Sequence, residues 1–339
     1  MLLSRRALLA AGAASIIPAR VSFAALPTDK RFVLVILRGA MDGLTAVPPY
    51  ADRNYRPARG TLAVSESEIQ QLDSRFGLHG ELKAIGALYQ QKQALVLHAV
   101  ATPYRERSHF DAQNLLEGGG SAAHEEKDGW LNRAISLMGG RRQPLGLAVS
   151  ATTPLVLTGT APVTTYAPTA LPDVNPDFLV FAQKLMAHDP ALASALEAGM
   201  NSTALADASG GSDMALNGGP RQNSAALAGV AAKMLAAPEG PRLAVLDIGG
   251  WDTHAGQAGR LPQALRQLDA VVATLRRDLG VLWKDTMVVV VSEFGRTVAA
   301  NGSGGTDHGT ATAAFVLGGQ VNGGRVLADW PGLENSRLY

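Results

Sequence analysis

Cysteine is absent from the 339 residues of this chain, and aromatic residues make up only 5% of it. The first absence excludes disulfide bonds, thiolate metal sites and thiol catalysis. Any metal would therefore be bound by carboxylate, imidazole or hydroxyl groups. The shortage of aromatic rings gives little support to a protein that binds lipids or polysaccharides.

Long apolar runs are also absent, except for one at the N-terminus. Arg5 and Arg6 precede the apolar stretch Ala7–Ile17, and small residues lead to a cleavage site after Ala24. This pattern predicts a signal peptide over residues 1–24, and the paired arginines indicate the twin-arginine route. An ordinary secretory signal or an uncleaved anchor is the alternative, although the run is too short to span a bilayer. The predicted partners are the twin-arginine translocase and signal peptidase.

An excess of charge of either sign is lacking as well. The signal contains three arginines and no acid, so its removal leaves 27 basic residues against 29 acidic ones, a net charge of −2. Such a balance argues against a nucleic-acid partner and against binding to an anionic surface. We expect the mature chain to be periplasmic or secreted and to have no permanent membrane span.

Apolar runs of strand length alternate with segments of helical periodicity along the mature chain. The four clearest runs are Arg31–Leu37, Ala94–Val100, Arg242–Ile248 and Thr286–Val291. Such runs are typical of parallel strands that are buried on both faces. The pattern predicts an α/β fold with a mostly parallel central sheet and helices on both faces, in a single domain over residues 25–339. Residues 201–224, rich in Ser, Ala, Gly and Asn, are predicted to be a flexible loop.

Acidic and imidazole side chains follow these strands or lie in similar glycine-rich loops. In parallel sheets ligands bind beyond the carboxyl ends of the strands, where these side chains would meet. Carboxylates and imidazoles that converge need a cation or a hydrogen-bond network to compensate them. The sequence therefore predicts a site for one or two divalent ions, with Zn, Mn, Mg and Ca as candidates. Its predicted ligands are Asp42, Asp252, His254, Glu293, Asp307 and His308.

Structural roles are the alternative for several of these residues. Asp42 could cap the following segment or shape a turn beside Gly43, and Asp252 could cap a helix. Asp247, inside a strand, could be the ligand in place of Asp252.

A second group of chemically versatile residues follows the strand Ala94–Val100. Ser108 is predicted to be the N-cap of a helix, either as a structural cap or as a hydroxyl nucleophile facing an anion at the helix N-terminus. Arg107 and His109 could contact that anion. Arg296 could either pair with Glu293 or bind the anion.

Several motifs jointly resemble DUF1501, a family of bacterial proteins of unknown function that are exported by the twin-arginine route. The resemblance covers nearly the whole chain and implies that the chain continues past Tyr339. It rests on Leu37-Arg38-Gly39-Ala40-Met41-Asp42-Gly43-Leu44, Phe76-Gly77-Leu78-His79, Arg107-Ser108-His109-Phe110-Asp111-Ala112-Gln113, Gly250-Trp251-Asp252-Thr253-His254, Ser292-Glu293-Phe294-Gly295-Arg296-Thr297 and Gly305-Thr306-Asp307-His308-Gly309.

The family is similar in turn to the alkaline phosphatase and sulfatase superfamily. That similarity implies an alkaline phosphatase-like fold, with Asp42 and Glu293 as metal ligands at strand ends and Ser108 as the nucleophile. The chain departs from the phosphatase pattern because Phe294, rather than a histidine, follows Glu293, and the Asp-His pair comes later, at Asp307-His308. It also lacks the Cys or Ser followed by x-Pro-x-Arg that sulfatases convert to formylglycine.

Together these features predict an exported, metal-dependent hydrolase that acts on a small anionic phosphate or sulfate ester. The catalytic group would be Ser108 with His109, Arg107 and Arg296. The alternative is a non-catalytic exported protein that keeps the fold and acts in the envelope or binds a partner. A metal site without an open coordination position would favour this alternative.

Overall fold

The computed structural model describes residues 29–138, 144–150, 152–167, 176–208 and 224–338. The predicted signal peptide over residues 1–24 lies outside these ranges. So do residues 209–223, which form most of the predicted flexible loop.

Eight strands of the described chain form one sheet in the order β10-β4-β9-β8-β1-β7-β5-β6. Every neighbouring pair is parallel except the two pairs that include β9. A separate antiparallel pair is formed by β2 and β3. The strands are β1 Arg31–Leu37, β2 Ile69–Gln71, β3 Gly77–His79, β4 Ala94–Val100, β5 Gly146–Ala148, β6 Val163–Thr165, β7 Leu243–Ile248, β8 Thr286–Ser292, β9 Thr312–Leu317 and β10 Arg325–Ala328.

Helices cover both faces of this sheet. Described residues contain α1 Gly43–Ala46, α2 Tyr55–Arg59, α3 Lys83–Gln90, α4 His109–Gly118, α5 Trp130–Met138, α6 Pro176–Met186, α7 Pro190–Ala208, α8 Ser224–Ala236 and α9 Gln257–Leu279, with 3-10 turns at Gly60–Leu62, Glu66–Glu68, Leu155–Leu157, Gly280–Asp285 and Asn335–Arg337. Helix α7 continues to Ala208, so the first eight residues of the predicted loop are helical. None of the helices in the described ranges has both the length and the apolar character needed to cross a bilayer.

The central strand β1 shows why its apolar run is continuous. Val33, Val35 and Leu37 pack into a core with α3, α8 and α9 on one face of the sheet. Leu34 and Ile36 pack into a second core with α5 on the opposite face. Because successive side chains point to opposite faces, a strand covered on both sides needs apolar residues at every position. The predicted α/β fold with a mostly parallel sheet is confirmed.

The direction of β9 decides which loops meet at one edge of the sheet. Strands β1, β4, β7 and β8 run in one direction, so the loops after them leave from the same edge. Strand β9 runs the opposite way, so the loop that precedes it, residues 297–311, also lies at that edge. This arrangement brings all the predicted site motifs to the same side of the molecule.

His98, inside β4, is buried beside this edge and makes the fold sensitive to acid. Its Nε2 lies 2.8 Å from the Val47 carbonyl, and its ring stacks on Phe76 and meets Trp330 edge-on. Burial lowers the pKa of His98 from 6.5 to about 4. Since the unfolded chain binds a proton here at a higher pH than the folded chain, the contribution of His98 to stability is complete above pH 6.5 and is lost as the pH falls toward 4.

We expect the free energy of unfolding to fall by roughly 3 kcal/mol over this interval because of His98 alone. The measurement is urea unfolding at several pH values for the native protein and His98→Gln, which keeps a side-chain donor but does not titrate. The difference between the two proteins should change between pH 6.5 and 4 and be constant above 6.5. A difference independent of pH would contradict this assignment.

Candidate metal centre

Three imidazole nitrogens and one carboxylate oxygen converge at the edge of the sheet. His308 Nε2 lies 2.9 Å from both His109 Nε2 and His254 Nε2. Asp252 Oδ1 lies 3.0 Å from His254 Nε2 and 3.6 Å from the Nε2 atoms of His109 and His308. We call these four residues the His3Asp cluster. Of the predicted metal ligands, the structure brings Asp252, His254 and His308 into it, together with His109, which was expected to contact an anion.

The fold positions each member of the cluster through a different loop. His109 is the first residue of α4, Asp252 and His254 follow β7, and His308 precedes β9. Gly39 allows the loop after β1 to lie directly against Asp252. Its φ is +116°, and a Cβ added there would lie 2.5 Å from the Asp252 backbone nitrogen. A side chain at position 39 would therefore displace the cluster.

The second nitrogen of each ring faces an atom that can only accept a hydrogen bond. Each Nδ1 must therefore carry the proton, and in the neutral ring Nε2 presents its lone pair to the centre. Ligating histidines in metalloproteins typically show this arrangement. The acceptors are Glu293 Oε1 at 2.8 Å for His109, Asp307 Oδ1 at 3.3 Å for His254 and the Arg107 carbonyl at 2.8 Å for His308.

Glu293 and Asp307, both predicted as ligands, thus lie behind the rings and not at the centre. Glu293 is completely buried, and its Oε1 also accepts hydrogen bonds from Gly39 N at 2.8 Å and Gln113 Nε2 at 3.1 Å. Burial opposes its ionisation, but the hydrogen bonds from His109 and these other donors outweigh it, so the pKa of Glu293 is lowered. The hydrogen bond to Glu293 in turn raises the pKa of His109.

Arg107 and Arg296 support the cluster in two different ways. Arg107 has a left-handed backbone, with φ of +64°, which presents its carbonyl to His308. The buried Arg296 donates from Nη1 to Asp252 Oδ1 at 2.7 Å and from Nε to Thr306 Oγ1 at 3.1 Å. Burial opposes ionisation of Asp252, but Arg296 and the nearby His254 outweigh it and lower the pKa of the carboxyl. Arg296 therefore orients Asp252, and its side chain is fully buried.

The donor set of the His3Asp cluster fits a divalent transition metal. Ligand atoms of His109, Asp252 and His308 all lie within 4.8 Å of one another. Four donors at the usual zinc distances would be about 3.3 Å apart in a tetrahedron, and five of the six separations among these four atoms, at 2.9–3.6 Å, are close to that value. Three imidazoles and one carboxylate suit zinc and related metals better than calcium or magnesium, which prefer oxygen ligands.

Asp42 and Asp247 have other partners. Asp42 caps α1 through hydrogen bonds from Leu44 N and Thr45 N to Oδ1, while its Oδ2 pairs with the buried Arg59 and with Gln257. These bonds match the alternative in which Asp42 caps the segment that follows it. Asp247 lies 3.0 Å from Arg38 Nη2, and the carboxylate that contacts the three imidazoles is that of Asp252.

Ser108 occupies the predicted position at the N-cap of α4, directly before His109. Its side chain makes no capping hydrogen bond, and its backbone N–H donates to Tyr104 Oη at 3.3 Å. Hydrogen bonds from His124 and Tyr104, and a smaller contribution from Ser108, lower the pKa of Asp111 on the first turn of the helix. Because the Ser108 side chain makes no capping hydrogen bond, its hydroxyl is not needed to terminate the helix.

Two further polar residues, Gln113 and Asn301, complete the surroundings of the cluster and are not among the predicted site residues. Gln113 lies one helical turn after His109 and binds the same Glu293 oxygen. Their spacing of four residues on α4 is a signal that could have identified Gln113. Asn301 donates to Asp307 Oδ1 at 3.0 Å and to the His254 carbonyl at 2.9 Å. Nothing in the sequence pattern distinguishes Asn301 from an ordinary loop residue.

Comparison with known proteins gives a family match and distant structural likenesses. The family model described as "Protein of unknown function (DUF1501)" matches residues 84–337. No curated protein matches the chain significantly.

Among solved structures, the C-terminal periplasmic domain of EptC from Escherichia coli in complex with Zn is 10% identical, with a TM-score of 0.43, covering 87% of this chain and 74% of that one. The phosphonate monoester hydrolase of Agrobacterium radiobacter is 12% identical, with a TM-score of 0.38 and coverages of 88% and 70%. Phosphonoacetate hydrolase from Sinorhizobium meliloti 1021, in complex with phosphonoformate, is 12% identical, with a TM-score of 0.34 and coverages of 79% and 56%. These likenesses are too low for a residue's role to be carried across.

Proposed function

The chain belongs to the DUF1501 family, and from its site we propose that it is an exported, metal-dependent hydrolase that acts on a phosphate or sulfate ester. The observation that carries the proposal is the convergence of the three Nε2 atoms and Asp252 Oδ1, with an acceptor behind each Nδ1. Export rests on the N-terminal sequence, which would be recognised by the twin-arginine translocase and cleaved by signal peptidase after Ala24.

The residues around the cluster have distinct roles in this proposal. His109, His254, His308 and Asp252 would hold the ion, which would act as a Lewis acid on an ester oxygen. Ser108 Oγ would lose its proton to solvent and bond to phosphorus or sulfur while the bond to the ester oxygen breaks, and the leaving oxygen would take up a proton and depart as the alcohol. Water would then attack the phosphorus or sulfur, break its bond to Ser108 Oγ and release inorganic phosphate or sulfate, which restores the serine hydroxyl. Its place at the N-terminus of α4 favours the anion, because free backbone N–H groups and the helix dipole attract negative charge.

Replacement of the serine hydroxyl tests this proposal. We expect Ser108→Ala to lower hydrolysis of its ester by at least about 100-fold while the metal content stays unchanged, since Ser108 is not in the cluster. The assay is a panel of phosphate monoesters, phosphate diesters and sulfate esters, with the zinc- or manganese-loaded protein.

Ser136→Ala is the matched control, because the Ser136 hydroxyl donates to the Asn132 carbonyl within α5. The control should keep full activity. Full activity of Ser108→Ala would remove Ser108 as the nucleophile, and a fully metal-loaded native protein without activity on any ester would contradict the proposed hydrolase.

One observation favours the alternative, a non-catalytic exported protein that binds a partner in the envelope. The four donors of the His3Asp cluster suffice to fill a tetrahedral shell, as in structural zinc sites. Replacing the bound metal with Co²⁺ distinguishes the hydrolase from the non-catalytic protein. If inorganic phosphate changes the visible spectrum of the cobalt protein, the ion has an open position and the hydrolase is supported. An unchanged spectrum supports the non-catalytic protein.

A further inference from the structure

A cavity of about 710 Å³ lies beside the His3Asp cluster. Two of its lining residues, Arg107 and Arg296, also bind members of the cluster, and a third, Gly309, directly follows His308. The other walls come from the loop after β4 and from residues 297–299, 310–311, 330–333 and 337–338. The volume lies within the range of roughly 300–1,000 Å³ that is usual for small-molecule sites.

One side of the cavity is apolar. It is lined by Leu44, Val298, Trp330, Leu333 and Leu338, which belong to one packed hydrophobic cluster with Tyr55. Leu44 and Leu333 are buried in that cluster, so this wall is a fixed part of the fold. A surface of this kind stabilises a ligand by removing its hydrocarbon or ring atoms from water.

The rest of the lining is strongly cationic. Arg105, Arg107, Arg296 and Arg337 line the cavity, and none of the described residues that line it is acidic. Arg296 is committed to Asp252, whereas Arg105, Arg107 and Arg337 are exposed at the rim. Arg337 Nε lies 3.7 Å from Glu334, which is outside the lining. Guanidinium groups are well suited to phosphate and sulfate oxygens.

We infer that this cavity selects an amphipathic anion, so that the substrate is a phosphate or sulfate monoester with an aryl or similarly sized alkyl group. That the bound anion is also hydrolysed rests on the proposed function, whereas its selective binding does not. The charged group would lie between the rim arginines and the His3Asp cluster, and the apolar group would cover the wall formed by Leu44, Val298 and Leu338.

The test compares two phosphonates that cannot be hydrolysed as esters. Binding of 1-naphthylphosphonate and of methylphosphonate to the zinc-loaded protein is measured by titration calorimetry. We expect the naphthyl compound to bind at least about tenfold more tightly, because the ring buries apolar area on the wall. Equal affinities for the two compounds would overturn the inference.

Two variants and one control variant locate the binding. Leu338→Glu should reduce the preference for the naphthyl compound at least fivefold, whereas Leu327→Glu, an exposed leucine of β10 outside the cavity, should leave it unchanged. The double variant Arg105→Ala, Arg337→Ala should weaken both phosphonates by about tenfold or more, since both lose charge-assisted hydrogen bonds. An unchanged preference in Leu338→Glu would place the binding elsewhere and overturn the inference.

The outcomes separate this inference from the proposed function. Selective binding of the naphthyl compound without hydrolysis of any ester would support the inference that the cavity selects amphipathic anions and would contradict the proposed hydrolase. Equal hydrolysis of aryl, long alkyl and methyl esters would sustain the hydrolase and contradict the selectivity.

Discussion

His308→Ala is expected to abolish stoichiometric metal binding, because His308 Nε2 contacts two other donors of the cluster at 2.9 Å. Loss of this nitrogen should weaken binding by more than the roughly 10–100-fold that loss of an outer-sphere partner costs. The measurement is metal content by elemental mass spectrometry after loading with zinc, manganese or calcium, followed by competition with a coloured chelator. His188→Ala, an exposed histidine outside the site, is the control and should keep the metal.

A graded comparison tests the division between ligands and supporting residues. Glu293→Gln keeps an acceptor oxygen behind His109 but loses the charge, so we expect binding to weaken by about 10–100-fold with one site still filled in excess metal. Complete loss of metal in Glu293→Gln, with metal retained in His308→Ala, would show that Glu293 is a ligand and that His308 is not, which is the opposite of the roles assigned from the geometry.

The position of the site could be predicted from the sequence because the strands are easy to recognise. Continuous apolar runs indicate parallel strands, and parallel strands place Asp252, His254 and Glu293 at one edge. His308 reaches the same edge for a reason that the sequence pattern does not contain. Strand β9 is antiparallel to both of its neighbours, so the loop before it lies where loops after the other strands lie.

The choice between ligand and supporting residue could not be predicted, because it depends on side-chain direction. Glu293 and His109 both point toward the centre of the cluster, but the His109 ring lies between the Glu293 carboxylate and that centre. Glu293 Oε1 binds Nδ1 of the ring, and Nε2 on the other side of the ring faces Asp252. A difference of one side-chain length separates an ion ligand from an acceptor that fixes a tautomer. Sequence spacing reports which elements meet and does not resolve distances of this size.

Asp42 illustrates the same limit in the core. The acid follows β1, where the superfamily resemblance implies a metal ligand, yet its partner is Arg59, 17 residues later. Arg59 is the last residue of a five-residue helix with no periodic pattern, so its burial leaves no signal in the sequence. The side chain is fully buried and also donates to the carbonyls of Thr297 and Val298 at 3.2 and 2.9 Å.

Arg59→Met is therefore expected to lower the free energy of unfolding by about 3–5 kcal/mol, because it leaves the Asp42 carboxylate buried without its counter-charge. Arg56→Met is the matched control. Arg56 is on the same helix but exposed, and its pair with Glu66 at 3.1 Å should contribute no more than about 1 kcal/mol. Urea unfolding of the metal-free proteins measures both values.

The same pair of residues decides whether Asp42 belongs to the metal centre. Because its two oxygens are bound to Arg59, Gln257 and the first turn of α1, Asp42→Asn should destabilise the fold and change the metal affinity of the folded protein by less than tenfold. The network from Asp42 through Gln257 to Thr306 and Arg296 ends at Asp252, so a small loss of affinity, below tenfold, would still fit an effect on orientation. Loss of metal at full stability would instead make Asp42 a ligand, as the family resemblance implied, and would require the loop after β1 to rearrange when the ion binds.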